Sequence, residues 1–318
     1  MLTVKETAAR LQSFDNVLIL THVRPDGDTV GCAAALCAAL RTLGKTAYLL
    51  PNPGLTDTTA PYFLPYAAPE GFVPEKIVST DIATVNLLPE NAKQYADKID
   101  LAMDHHVSFE RFAKENILRS EAASCGELLY DILAELNCIN AETAMLLYLA
   151  VSTDTGCFQY GNTTAHTHAV TAKLMETGID VYPLNKVFFG TKTRRRMALE
   201  ADMLVNAEYY DLGRCVFLYV PISLMEGIGA TETDAEDLSS LGRQIEGIEC
   251  AVTFRELKPN VWKLSVRTDK RVNATKVCAR LGGGGHPAAA GCTVEAPLAQ
   301  VKEALLASLR AEVADFAG

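Results

Sequence analysis

A chain of 318 residues, 49% of them apolar, is long for one hydrophobic core and divides most naturally into two domains. Its 29 basic against 39 acidic residues leave a formal charge of −10, which argues against tight binding along a nucleic-acid duplex, where many phosphates must be met by Lys and Arg. The longest apolar run, residues 30–40, falls well short of the roughly twenty residues that span a bilayer. The first residues lack the basic and then apolar regions of a signal peptide, so the chain reads as soluble and cytoplasmic, without a membrane partner. Nine cysteines without C-x-x-C spacing read as buried, reduced thiols.

The first apolar run, 17–21, has the character of a buried parallel strand and ends at His22-Val-Arg-Pro-Asp26-Gly-Asp28. In an extended loop, alternation puts Asp26 and Asp28 on one face. The same string also has ordinary Asp-Gly turn and helix-capping chemistry. A helix is predicted over 29–43, then strands over 47–50 and 76–80. The latter leads into Asp81, a carboxylate that would equally cap a following helix. A strand over 99–103 runs into Asp104, His105 and His106. Adjacent histidines after a carboxylate cannot all enter an apolar core without partners, although a surface pair is the plainer alternative. Helices follow over 124–136, where Ser124 and Glu127 match a capping box, and over 141–151, ahead of Thr153-Asp154-Thr155-Gly156.

This alternation over about 17–180 predicts a wound α/β domain with a parallel sheet. The Asp and His groups would then lie at strand or helix ends, where open sheets bind ligands. Imidazoles mixed with carboxylates suit manganese, zinc or iron, and more than four such ligands suggest two ions.

The charged, helix-prone stretch 191–204 reads as an interdomain connector, and the arginines at 194–196 as its solvated face. Beyond it, strands over 215–220, 249–254 and 261–267 and helices over 233–245, 273–281 and 298–313 predict a smaller α+β domain. The expected division is 1–188, a helical linker at 189–210, and 211–318. In the second domain Gly282, Gly283, Gly284 and Gly285 precede His286. Four consecutive glycines are costly in backbone entropy, and a helix C-cap needs only one, so free amides holding phosphate oxygens are the favoured reading. Arg267, at a strand end, would make a bidentate phosphate contact or else stand on the surface.

Taken in order, these segments resemble the DHH phosphoesterase superfamily, in particular its nanoRNase and pAp-phosphatase branch with a DHH-associated C-terminal domain. The resemblance implies two Mn2+, with Mg2+ or Co2+ as substitutes. One would take His22, Asp26 and Asp81, and the other Asp28, Asp81, His105 and Asp154. It further implies that His106 faces the scissile phosphate, that Asp104 orients neighbouring groups, and that Arg267, Gly283, Gly284, Gly285 and His286 grip the substrate. Cys32 stands where the family often has Ser. Phe109 replaces a frequent Asn and would alter substrate contacts near the cleft. The implied activity is two-metal hydrolysis of short RNA and of 3′-phosphoadenosine 5′-phosphate, in a protein expected to form a homodimer. A cyclic- or linear-dinucleotide phosphodiesterase is the rival, and a metal-free nucleotide sensor the alternative of another class.

Overall fold

The computed structural model describes residues 1–316. Its contacts divide the chain into two units, Met1–Thr191 and Lys192–Gly318.

In the first unit, strands β1 (Val17–Leu20), β2 (Ala47–Leu49), β3 (Lys76–Thr80), β4 (Leu101–Asp104) and β5 (Glu115–Leu118) form one parallel sheet in the order β2-β1-β3-β4-β5. Every residue of β1 and β4 is buried, which is why both read as unbroken apolar runs. Edge strand β5 escaped sequence reading because only Ile117 is buried, leaving neither a run nor an alternation to see. Seven helices accompany the sheet: α1 (Val4–Ser13), α2 (Gly27–Thr42), α3 (Ala60–Phe63), α4 (Cys125–Glu135), α5 (Ala141–Asp154), α6 (Ala165–Met175) and α7 (Tyr182–Phe188). Helix α2 is buried on every side from Gly27 to Leu40, so its small apolar residues carry no amphipathic period. At α4, the hydroxyl of Ser124 accepts the Glu127 amide as expected, but the Glu127 carboxylate accepts from Thr167 instead of closing the box.

The chain leaves β1 for β2 on one side and returns as β3 on the other. Such a reversal opens a crevice at the carboxyl ends of the two central strands, the usual place for a ligand in an open α/β sheet.

The second unit holds β6 (Glu208–Tyr210), β7 (Cys215–Val220), β8 (Cys250–Lys258), β9 (Val261–Thr268), β10 (Gly284–His286) and β11 (Ala289–Glu295), in the order β10-β11-β9-β8-β7-β6. Only β7 and β8 run parallel. Its helices are α8 (Arg194–Val205), α9 (Ile222–Ile228), α10 (Ala274–Ala279) and α11 (Leu298–Glu312). Strand alternation separates two cores: Phe217 and Phe254 pack with Val277, Val301 and Leu305, while Val216 and Leu218 pack with Leu199 and Met203.

Two expectations are corrected here. Helix α8 is not a free connector, because it buries Leu199 and Met203 in the second unit. Its Arg195 pairs with Asp234 and its Arg196 with Glu200, so two of the three arginines are engaged rather than simply solvated. Residues 233–245 form two short 3-10 turns instead of one helix, interrupted at Asp237, whose φ is +53°. The nine cysteines are free thiols, eight buried and Cys157 half-buried. Among the described residues no helix is long and apolar enough to cross a membrane.

Candidate metal centre

The crevice collects polar side chains from the ends of five elements. His22 follows β1, and its backbone is fixed by Asn52, whose amide donates to the Thr21 hydroxyl at 3.0 Å and to the His22 carbonyl at 2.8 Å. Asp81 follows β3 with φ +58°, a left-handed conformation that few side chains adopt without a local reason. Asp26 and Asp28 do not share an extended loop as expected. Asp26 caps α2, accepting the Thr29 amide at 3.1 Å, and Asp28 lies in that helix's first turn. Capping chemistry decides the local backbone, and the two carboxylates consequently serve different groups of side chains.

Asp28, 2% exposed, accepts the amides of Cys125 at 2.7 Å and Gly126 at 3.0 Å. These are otherwise unpaired donors at the start of α4, and that helix's positive end favours the carboxylate. The Cys32 thiol adds a donor at 3.2 Å, doing there what a hydroxyl would do. Asp154 is the last residue of α5, where helix polarity disfavours an anion and so favours a nearby cation.

Strand β4 ends in the fully buried Asp104, whose Oδ1 accepts the His106 amide at 2.6 Å and lies 2.8 Å from His106 Nδ1. His105 Nδ1 lies 3.2 Å from the Ala122 carbonyl. A carbonyl can only accept, so Nδ1 carries the proton and Nε2 presents its lone pair to the carboxylates. That Nε2 stands 3.4 Å from Asp154, 3.6 Å from Asp81 and 3.7 Å from Asp28.

Two donor sets result: His22, Asp26 and Asp81, and Asp28, His105 and Asp154. Asp81 serves both, with Oδ2 3.9 Å from His22 and Oδ1 3.6 Å from His105. A third grouping, Asp81 with both histidines, uses an Nδ1 of His106 already committed to Asp104. Asp81 Oδ1 is buried without a hydrogen-bond partner, and so is Asp104 Oδ2. An orphaned carboxylate oxygen is costly in a protein interior, and a cation among these donors removes that cost. The residues present therefore fit divalent ions bound by mixed nitrogen and oxygen donors.

Electrostatics give the same answer. Burial, and then the charges of Asp154 and Asp26, push Asp28 well above the usual carboxylate range. Burial and the charge of Asp28 do likewise for Asp81. Burial, followed by Asp26, raises Asp154 to about 7. Burial and the neighbouring His106 lower His105, keeping it neutral. His106 moves the other way because of its hydrogen bond to Asp104.

A carboxylate whose folded pKa is raised keeps a proton that the unfolded chain releases. The metal-free fold should therefore lose stability as pH climbs from about 4 towards 7. In chelator, Tm is expected to fall across this window. Added Mn2+ should raise Tm most at its upper end, with protons released on binding. A Tm insensitive to Mn2+ at every pH would contradict the site.

In the second unit the cross-strand register aligns His286, Ala289 and Arg267 in one row, so their side chains share a face of the sheet. Arg267 is half-buried, donates to the Val266 carbonyl, and has no ion pair among the described residues. The glycine run is partly accounted for by the fold itself. A Cβ at Gly283 would meet the Gly291 carbonyl at 2.2 Å and one at Gly285 the Ala289 carbonyl at 2.6 Å, while Gly284 faces open space. Phe109 is also not the cleft residue expected, since its ring is buried against Phe112. The Asn52 clamp and the α4 amides carried no sequence signal.

Comparison with known proteins shows the family. The profile described as DHH family, N-terminal domain, matches residues 16–151, and that of the DHHA1 domain matches 214–315. The bifunctional oligoribonuclease and PAP phosphatase NrnA of Thermus thermophilus is 30% identical over 301 residues, covering 93% of this chain and 90% of its own. The protein of the same name from Bacillus subtilis is 23% identical, covering 91% and 92%. An exopolyphosphatase-related protein of Bacteroides fragilis shares the fold with a TM-score of 0.84 at 20% identity, over 97% of this chain and 96% of that one.

Proposed function

Because the chain belongs to the DHH family, we propose that it is a manganese-dependent phosphoesterase that hydrolyses short oligoribonucleotides and converts 3′-phosphoadenosine 5′-phosphate to AMP and phosphate. The observation that carries this reading is Asp81, buried and turning one oxygen to each of two donor sets. His22, Asp26 and Asp81 would hold one ion, and Asp28, Asp81, His105 and Asp154 the other. Divalent ions, when bound, supply a polarised water for attack on phosphorus and positive charge for the phosphoryl oxygens.

The chain's own residues do the rest. His105 keeps a neutral imidazole because burial disfavours its charged form. His106 is held by Asp104 through Nδ1 and keeps its proton more firmly than usual, leaving Nε2–H for the departing oxygen. Its side chain is 44% exposed, as a group that must meet substrate requires. Asp104 acts through His106 as a positioning residue. In the DHHA1 domain the Gly283 amide is not free, since it donates to the Cys278 carbonyl at 2.9 Å, but the face shared by Arg267 and His286, with the open backbone at Gly284 and the neighbouring Gly285, would bind a substrate phosphate. Names carried by relatives covering nearly the whole chain support the substrate class.

The test is product analysis with Mn2+ on 3′-phosphoadenosine 5′-phosphate, on dinucleotide to pentanucleotide RNA, on a long single strand, on linear and cyclic di-adenylate and on pyrophosphate. AMP with phosphate from the first, mononucleotides from the short RNAs, and loss of both in chelator are expected. Preferential turnover of the cyclic dinucleotide would overturn the substrate assignment.

A further inference from the structure

We propose that Tyr160 is a stacking platform for the base of the nucleotide that carries the reacting phosphate, an inference that rests on the phosphoesterase reading above. Directly after Asp154 the chain enters a conformation that side chains avoid. Gly156, Cys157 and Phe158 have φ of +56°, +55° and +66°, one turn of left-handed helix in which two residues carry a Cβ. The turn is firmly held. The Cys157 amide donates to the Ser152 carbonyl at 2.7 Å, and the amides of Gln159 and Tyr160 both donate to the Thr155 carbonyl at 3.0 Å. Asn162 ties the far side, donating to the carbonyls of Ala123 at 2.9 Å and Asp154 at 3.1 Å. Phe158 packs inward beside Tyr148 and His168.

This strained turn delivers the Tyr160 ring onto the backbone of Gly156. A Cβ at Gly156 would meet Cζ, Cε1 and Cε2 of that ring at 2.4 to 2.7 Å, so the ring packs directly on the glycine, which leaves no room there for a side chain. Tyr160 as a whole is 57% exposed, and among the described residues it has no ring partner, no cation over it and no hydrogen bond from its hydroxyl. Gly156 stands two residues from Asp154, at most ~7 Å along the chain, which keeps the backbone under the ring close to one member of the donor set. A ring backed by glycine and otherwise largely exposed suits the π surface of a base. Stacking also accepts any base, which a short-RNA hydrolase needs.

The experiment compares wild type, Tyr160→Ala and Tyr160→Phe on 3′-phosphoadenosine 5′-phosphate and on its base-free 1-deoxyribose analogue with the same two phosphates. The Ala variant is expected to raise KM for the nucleotide by ~5- to 100-fold with little change in kcat. The preference for nucleotide over base-free analogue should narrow by the same factor, and the Phe variant should restore it. An equal loss on both substrates would show a structural effect on the turn and overturn the platform, as would no loss on either. Wild type inactive on every nucleotide would sink the phosphoesterase reading instead. The platform would then be judged by titrating a 2-aminopurine dinucleotide: quenching by wild type that disappears in Tyr160→Ala supports it, and equal quenching overturns it.

Discussion

Replacing Asp81 by Asn should abolish metal-dependent hydrolysis while making the metal-free protein more stable. Asn tolerates the left-handed backbone that Asp81 adopts, so the substitution changes charge with little change in shape. Without the carboxylate, both donor sets lose the member they share. A loss of ~1000-fold or more in kcat/KM is expected, equivalent to ~4 kcal/mol of transition-state stabilisation. In chelator the sign reverses. Asp81 is buried, one of its oxygens has no hydrogen-bond partner, and the charge of Asp28 adds to the cost of ionising it. Removing that charge should stabilise the metal-free fold by something on the order of 1 kcal/mol near neutral pH, a Tm rise of a few degrees. Thermal unfolding of both proteins with chelator and with Mn2+ separates the two effects. A variant that is less stable in chelator, or that keeps the full Mn2+ increment, would rule out Asp81 as the shared ligand.

His106→Ala should lower kcat by ~100- to 1000-fold on RNA while leaving the Mn2+ increment in Tm intact, since His106 Nδ1 is occupied by Asp104. If its role is to protonate the leaving oxygen, a substrate with a p-nitrophenolate leaving group has little need of it, and the deficit there should shrink to about tenfold or less. The pH profile gives an independent check. Asp104 raises the pKa of His106 through their hydrogen bond, so activity that requires protonated His106 falls as pH rises through that pKa. Asp104→Asn weakens the hold on the proton and should move the alkaline limb to lower pH. Equal deficits on both substrates, or an unmoved limb, would leave His106 without the acid role.

What could be read in the sequence follows from how burial writes itself into a chain. Strands β1, β3 and β4 are covered on both faces and so appear as apolar runs. The candidate ligands that follow them are legible because a strand end and the next residue are neighbours in the chain. His22, Asp81 and the Asp104-His105-His106 triplet are found this way. Support from distant backbone leaves no such mark. The amides that hold Asp28 belong to Cys125 and Gly126, nearly a hundred positions away, and any residue but proline offers an amide. Asn52 looks like a turn residue until its side chain is seen clamping His22. The four glycines answer partly to the fold: Gly283 and Gly285 approach the chain's own β11, and the Gly283 amide donates to the Cys278 carbonyl instead of standing free. Helix α8 misled because its many charges obscured the two residues, Leu199 and Met203, that bind it to the second sheet.

The donors come from six positions between 22 and 154, at strand ends and at the termini of α2 and α5, and the parallel strands among them pair only after long excursions of chain. Contacts of such high sequence separation form late in folding, because loop closure must come first. Neither donor set is complete before the sheet is assembled. Bound metal therefore acts on the finished structure, lengthening its lifetime by slowing the first opening of the crevice, and does little to hasten its formation.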